Sequence, residues 1–151
     1  MLTMLGRVSV LGMLVVSLGA NVPTSEETEQ DRLAGTWRLA SAEESGRVIP
    51  PDQLKDQTLT LESPRYLVKL GEEVEEQGTF TIDPESSPKA IDLKIRKGMD
   101  EGKTQPGVYL LDGDTLKIAL ARPGSKDRPR AFATSGDGAA LFVMTLKRER
   151  R

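Results

Sequence analysis

The sequence predicts an all-β fold, an antiparallel eight-stranded up-and-down barrel. Short stretches in which apolar residues alternate with polar ones recur along the chain. Gly, Pro, Asp and Ser separate them roughly every eight to twelve residues, which is the spacing of a sandwich or barrel. Most connections are short enough for each stretch to pair with the next. Closing such a meander into a barrel removes the unpaired edges of an open sheet, and 151 residues suffice for one domain.

The first predicted strand runs from Thr36 to about Glu43. Strict alternation places Trp37, Leu39 and Ser41 on one face, which we assign to the barrel interior. Two consecutive prolines follow, and they lack the N–H donors of a central strand. Residues 48–54 are therefore expected to form a loop with a short helical turn.

Four strands are expected in the middle of the chain. The first begins at Gln57 and ends before Ser63, and the next three cover residues 65–70, 74–82 and 90–96. Each alternates apolar and polar residues, as half-buried strands do. The side chains expected to line the interior are Leu59, Leu61, Tyr66, Val68, Phe80, Ile91 and Leu93.

Three strands complete the predicted barrel, over residues 107–111, 115–120 and 140–147. The Asp112-Gly113 pair between the first two is a tight-turn signal. Positions 108–111 are all apolar, so the pattern leaves open which face of that strand points inward. The other two strands are expected to place Leu116, Ile118 and Phe142 in the interior.

The N-terminal residues have the pattern of a secretory signal peptide. Arg7 is the only charge before Glu26, an apolar run follows it, and the small residues Gly19 and Ala20 offer two cleavage points. We expect export to the periplasm, the cell envelope or the extracellular space, with no stable membrane span after cleavage. An uncleaved anchor is the alternative. The predicted organisation is a signal peptide (1–20), a polar tether (21–32), the barrel (33–148) and a charged tail (149–151).

The composition excludes several kinds of chemistry. The chain has no cysteine and no histidine, which removes thiol nucleophiles, histidine bases and the usual zinc ligand sets. No serine lies in a G-x-S-x-G context. We expect no enzymatic activity, no cofactor and no metal, and the net charge of −2 gives no attraction towards nucleic acid.

Two charged segments have alternative interpretations. The acidic residues of 72–76 alternate along a hairpin, so they are not expected to converge on a calcium ion and are interpreted as a solvated turn. The basic loop 122–130 and the C-terminal basic residues are either solvated or contact an anionic partner.

The order of several short motifs resembles a known group of proteins. The matching pieces are residues 33–39 (Leu-Ala-Gly-Thr-Trp-Arg-Leu), 78–80 (Gly-Thr-Phe), 88–93 (Pro-Lys-Ala-Ile-Asp-Leu), 107–116 (Gly-Val-Tyr-Leu-Leu-Asp-Gly-Asp-Thr-Leu), 128–129 (Arg-Pro) ahead of Phe132, and 146–148 (Leu-Lys-Arg). The chain resembles small exported domains that are abundant in planctomycete bacteria, are grouped with lipocalin-like proteins and have no assigned activity. Typical members carry a cysteine where this chain has residues 118–120.

This resemblance implies how the barrel closes. In lipocalin-like proteins a tryptophan near the start of the first strand closes the bottom of the barrel, and a basic side chain of the last strand packs over its ring. The matching residues are Gly35, Trp37 and Arg148. A guanidinium over an indole contributes on the order of 1 kcal/mol.

The barrel interior is the candidate binding site. Eight-stranded barrels either fill their interior with side chains or hold one small ligand. We expect a monomer that binds a small apolar or amphipathic molecule there, with Ser41 and Tyr66 as polar contacts. The alternative is a cell-envelope interaction module that uses its loops and outer face and has a packed core without a ligand.

Overall fold

The computed structural model describes Gly19 and residues 26–150. Apart from Gly19, the predicted signal peptide and its cleavage point lie outside the described residues. The helices are α1 (Glu29–Leu33) and α2 (Pro51–Leu54). The strands are β1 (Gly35–Glu44), β2 (Arg47–Val48), β3 (Gln57–Glu62), β4 (Arg65–Leu70), β5 (Glu73–Asp83), β6 (Lys89–Lys97), β7 (Thr104–Asp112), β8 (Thr115–Leu120) and β9 (Phe142–Arg148).

The strands form a closed antiparallel barrel. From β3 to β9, each strand pairs with the next one along the chain. β1 pairs with both β3 and β9, which closes a ring of eight strands. The short β2 pairs with the end of β1 and extends it beyond the ring. The predicted eight-stranded up-and-down barrel is confirmed.

The barrel has two dissimilar ends. We call the end that carries the longer loops the mouth and the other end the base. The mouth carries residues 45–56, 71–72, 98–103 and 121–141, and the base carries residues 63–64, 84–88 and 113–114. The strands are antiparallel and consecutive, so every second connection lies at the mouth and the others lie at the base.

Helix α1 covers the base. Its Leu33 is 1% exposed and belongs to the main core cluster. Glu29 accepts hydrogen bonds from Lys89 Nζ at 2.7 Å and from the Tyr109 hydroxyl at 3.2 Å. The last part of the segment predicted to be a polar tether (21–32) is therefore helical and folded against the barrel.

A β-bulge in β1 reverses the predicted orientation of Ser41. The register between β1 and β9 shifts between Leu39 and Ser41, which leaves Ala40 as the extra residue. One inserted residue moves every following side chain to the other face. Ala42 therefore points inward and is 6% exposed, whereas Ser41 is exposed.

The pairing of β7 settles the face that the sequence left open. Tyr109 pairs with the inward-facing Ile118 and is 1% exposed. Val108 lies on the outer face and Leu110 on the same face is 52% exposed. β7 also begins at Thr104, so residues 104–106 belong to a strand rather than to the predicted connection.

The connection between β8 and β9 packs on the outside of the barrel. Val108, Ala119 and Val143 form a second buried cluster with Ala140, and Phe132 of the connection packs against it. These positions alternate with inward-facing ones, so the strands of this wall are apolar on both faces. The connection is consequently a layer of the fold rather than a solvated loop.

Arg128 fixes this layer to the barrel wall. Its guanidinium donates to the carbonyls of Ile91 at 3.1 Å and Gly107 at 2.8 Å, and it lies 2.9 Å from an Asp92 carboxylate oxygen. Hydrogen bonds from a charged donor to backbone carbonyls are stronger than those from neutral donors. Arg128 is thus engaged within the fold and is not a free cation of a basic loop.

Candidate ligand cavity

A cavity lies inside the barrel and opens at the mouth, where loop residues are part of its lining. Its volume is about 450 Å³. Aliphatic side chains of the strands form its wall, and residues of α2 and the neighbouring loops form its rim. The lining residues are Leu39, Ala42, Ile49, Gln53, Leu54, Gln57, Thr58, Leu59, Leu61, Val68, Glu76, Ile91, Leu93, Asp100, Gln105, Ile118, Leu120, Pro123, Phe142, Met144 and Leu146.

Most of the side chains expected to line a cavity do so. Those are Leu39, Leu59, Leu61, Val68, Ile91, Leu93, Ile118 and Phe142. Tyr66, Phe80 and Leu116 are instead packed in the core cluster at no more than 2% exposure. They belong to the packed core, so the interior is part packed core and part cavity. Ser41 faces outward because of the bulge and is absent from the lining.

Sequence reasoning missed the polar part of the lining. The run of acidic residues predicts a solvated turn at Glu76, although counting back in steps of two from Phe80 places it on the inner face. The sequence pattern places Gln105 in a connection, yet its side chain is 5% exposed on β7. Asp100 comes from the loop between β6 and β7, and no periodic signal places a loop residue in a cavity.

Glu76 is held in the cavity wall by Tyr66. Glu76 pairs with Val68 across β4 and β5, and the Tyr66 hydroxyl donates to Glu76 Oε1 at 2.9 Å. Burial is the main reason that the pKa of Glu76 is raised above its usual value; the Tyr66 hydrogen bond opposes this rise, and the nearby carboxylates of Asp100 and Glu75 add to it. Burial and the Glu76 charge also raise the pKa of Tyr66, so its phenol remains a donor.

Gly78 makes room for this arrangement. A Cβ at this position would lie 1.9 Å from the Lys94 carbonyl oxygen and 2.9 Å from Tyr66 Cε1. Real side chains do not tolerate such approaches, so only glycine lets the Tyr66 ring lie against β5. The ring then reaches along the wall to Glu76.

The loop after β6 brings a second carboxylate towards the first. Gly98 has a φ of +130°, and a Cβ there would lie 3.0 Å from the Glu75 carbonyl oxygen and 3.3 Å from Glu76 Cγ. The loop therefore packs directly on β5. Asp100 of this loop lines the cavity and accepts a hydrogen bond from Lys103 Nζ at 3.2 Å.

The base is closed by Trp37 and Arg148. Trp37 is fully buried and donates from Nε1 to the Leu33 carbonyl at 2.9 Å. The guanidinium of Arg148 lies 4.3 Å from the centroid of the Trp37 ring. It also donates to the carbonyls of Ala34 at 2.7 Å and Arg32 at 2.5 Å. A ligand therefore has no entrance at this end.

Gly35 allows this closure. Its φ is +130°, a conformation that other residues rarely adopt, and a Cβ there would lie 3.2 Å from Arg148 Nη1. The three residues that the resemblance marked as the closing set thus lie together in space.

Within residues 26–150, no group of three or more His, Cys, Asp or Glu side chains is placed to hold a metal ion. The two helices in that part of the chain are too short to cross a bilayer. Comparisons of the sequence with models of protein families and with curated proteins, and of the fold with solved structures, found no match.

Proposed function

We propose that this protein is an exported, monomeric binding protein of the lipocalin-like kind that holds a small apolar or amphipathic molecule in its barrel mouth. The observation that carries the proposal is the cavity of about 450 Å³, walled by aliphatic side chains and open at one end. Small-molecule sites are concave, mostly apolar and contain a few polar groups, with volumes of roughly 300–1,000 Å³. Binding would proceed by burial of apolar surface rather than by chemistry.

The rim of the mouth gives further support. The exposed large apolar side chains of residues 26–150 are Met99 (99%), Val48 (75%), Leu110 (52%), Val74 (51%) and Leu70 (38%). All of them except Leu110 belong to the mouth end. Exposed apolar residues around a concave site favour the approach of apolar ligands.

The proposed export rests on the sequence of residues 1–20, and the proposed kinship with the exported planctomycete domains rests on the ordered motifs. The second candidate, an envelope interaction module with a filled core, has less support. Its basic loop would have to attract an anionic partner, yet Arg128 is bound to the barrel wall and Arg130 pairs with Asp137 at 3.0 Å.

The test uses N-phenyl-1-naphthylamine, a dye that is uncharged at neutral pH and fluoresces in apolar surroundings. The informative pair of variants is Ala42→Phe, which fills the cavity, and Ser41→Phe, which adds the same ring outside the barrel. We expect wild type and Ser41→Phe to bind the dye alike, and Ala42→Phe to bind at least tenfold more weakly.

Two results would contradict the proposal. One is equal dye binding by wild type and Ala42→Phe. The other is no dye binding by the wild-type protein, together with native mass spectra of protein from its own envelope that show no small molecule. Trp37 fluorescence is a poor reporter here, because the ring lies at the closed base.

A further inference from the structure

We propose that the cavity selects amphipathic cations, with the apolar body of the ligand in the barrel and a protonated amine against Glu76 and Asp100. This inference rests on the proposed function, because it names the ligand class of the same cavity. The decisive observation is that Glu76 and Asp100 are the only charged side chains among the described residues that line it. Both carry the same sign of charge.

Among the described residues, Glu76 forms no salt bridge with a cationic side chain. One of its oxygens accepts a hydrogen bond from the Tyr66 hydroxyl, a neutral donor, at 2.9 Å. A carboxylate in an apolar wall loses hydration, and an ammonium group placed beside it would restore the lost interaction.

Asp100 adds to the negative charge at the same side of the cavity. Its internal partner is Lys103, whose side chain is 53% exposed and whose charge is therefore largely screened by water. Glu75 lies on the adjacent part of β5 and is exposed. The groups that face the Glu76 carboxylate thus comprise two acids and the Tyr66 phenol, which cannot supply a positive charge.

Gln105 gives the ligand a third acceptor. Its side chain is 5% exposed and lines the cavity. Its amide nitrogen donates to the Ala121 carbonyl at 2.9 Å, and the hydrogen bonds among residues 26–150 include no donor to its amide oxygen. An ammonium group has three donors and no acceptor, so it complements carboxylate and amide oxygens.

The same arrangement argues against the most common amphipathic anions. A fatty acid would bring its carboxylate towards two like charges, and like-charge juxtaposition in a partly desolvated site opposes binding. An uncharged alcohol of the same length would bind by burial alone and would leave Glu76 without a counter-charge. Amine, alcohol and acid of one chain length should therefore bind in that order.

The experiment measures displacement of N-phenyl-1-naphthylamine by dodecylamine, 1-dodecanol and dodecanoate at neutral pH, below the concentrations at which they aggregate. We expect wild type to bind dodecylamine at least tenfold more tightly than 1-dodecanol, and dodecanoate more weakly than either. Glu76→Gln keeps an acceptor for the Tyr66 hydroxyl but removes one of the two charges, so it should clearly reduce the ratio of the dodecylamine affinity to the 1-dodecanol affinity measured in the same variant.

The matched control is Glu73→Gln, which removes the same charge from an exposed position of β5 outside the cavity. It should keep the preference for dodecylamine. The inference is overturned when wild type binds dodecanoate as tightly as dodecylamine, or when Glu76→Gln retains the full preference. Failure of the dye itself to bind would instead remove the proposed function, so the two failures are distinguishable.

Discussion

The guanidinium of Arg148 covers the ring of Trp37 at 4.3 Å, and the two residues are direct register partners across the β1–β9 pairing. Arg148 therefore acts in two ways at once. Its planar face contacts the indole, and its N–H groups bind the carbonyls of Ala34 and Arg32 in the segment that leads into β1. This single side chain links the last strand, the first strand and helix α1.

The first prediction concerns this link. Arg148→Gln should lower the free energy of unfolding by about 2 kcal/mol, because charge-assisted hydrogen bonds to two carbonyls are lost along with the contact to the indole. The measurement is urea unfolding. Arg150→Gln is the control, because Arg148 and Arg150 both pair with Asp114, at 3.1 and 3.4 Å, but the Arg150 side chain is 86% exposed. A loss below about 0.5 kcal/mol is expected there, and equal losses in the two variants would refute the role of Arg148.

The second prediction tests the β-bulge at Ala40. Ala42→Asp should cost about 3 kcal/mol or more, because it places an unpaired charge in the apolar wall. Ser41→Asp should change the stability by no more than about 0.5 kcal/mol, because position 41 faces solvent. Urea unfolding of both variants distinguishes the bulged register from strict alternation. The reverse order of losses would mean that the strand runs without the bulge.

The third prediction concerns the outer layer. Arg128→Gln should destabilise the fold by about 1–3 kcal/mol, because its donations to Ile91 and Gly107 are lost. Amide hydrogen exchange should accelerate in residues 121–141 before it changes in the barrel strands. Arg130→Gln is the control, since its side chain is 70% exposed and its partner Asp137 is 98% exposed. If the amides of residues 121–141 exchange at the same rate in Arg128→Gln and in wild type, Arg128 does not hold the layer.

The fourth prediction concerns pH. The folded-state pKa of Glu76 lies above its ordinary value, chiefly through burial, so the folded protein binds this proton more readily than the unfolded chain. Its contribution to stability is present below the unfolded pKa of about 4.5 and is lost as the pH rises through the folded pKa. Glu76→Gln should therefore be more stable than wild type at pH 7.5 in urea, with a smaller difference at pH 4. A difference that does not change with pH would contradict this.

Much of the barrel is predictable from alternation, because successive side chains of a half-buried strand point in turn to the core and to solvent. The failures have specific causes. The bulge at Ala40 lies in the run Ala40-Ser41-Ala42, whose small residues fit either face. Residues 108–111 are apolar throughout because Tyr109 and Leu111 face the core and Val108 lies under the outer layer, while Leu110 is an exposed apolar residue.

The polar part of the cavity was only partly within reach of sequence reasoning. Glu76 follows the same two-residue spacing as Gly78 and Phe80, which predicts that it points inward. The four acidic residues of the hairpin favour a solvated turn instead. Asp100 lies in a loop, and its position depends on the close packing of Gly98 against β5. Such packing is a tertiary effect that periodicity does not encode.

The pairing of β1 with β9 also sets an order of events during synthesis. β1 is among the first strands to leave the ribosome, but one of its two edges has no partner until β9 has been made. A nascent chain that ends before β9 would expose the edges of both β1 and β8, and exposed edges recruit other strands. Barrel closure therefore has to wait for β9, and chains truncated before residues 142–148 should aggregate rather than form a smaller stable domain.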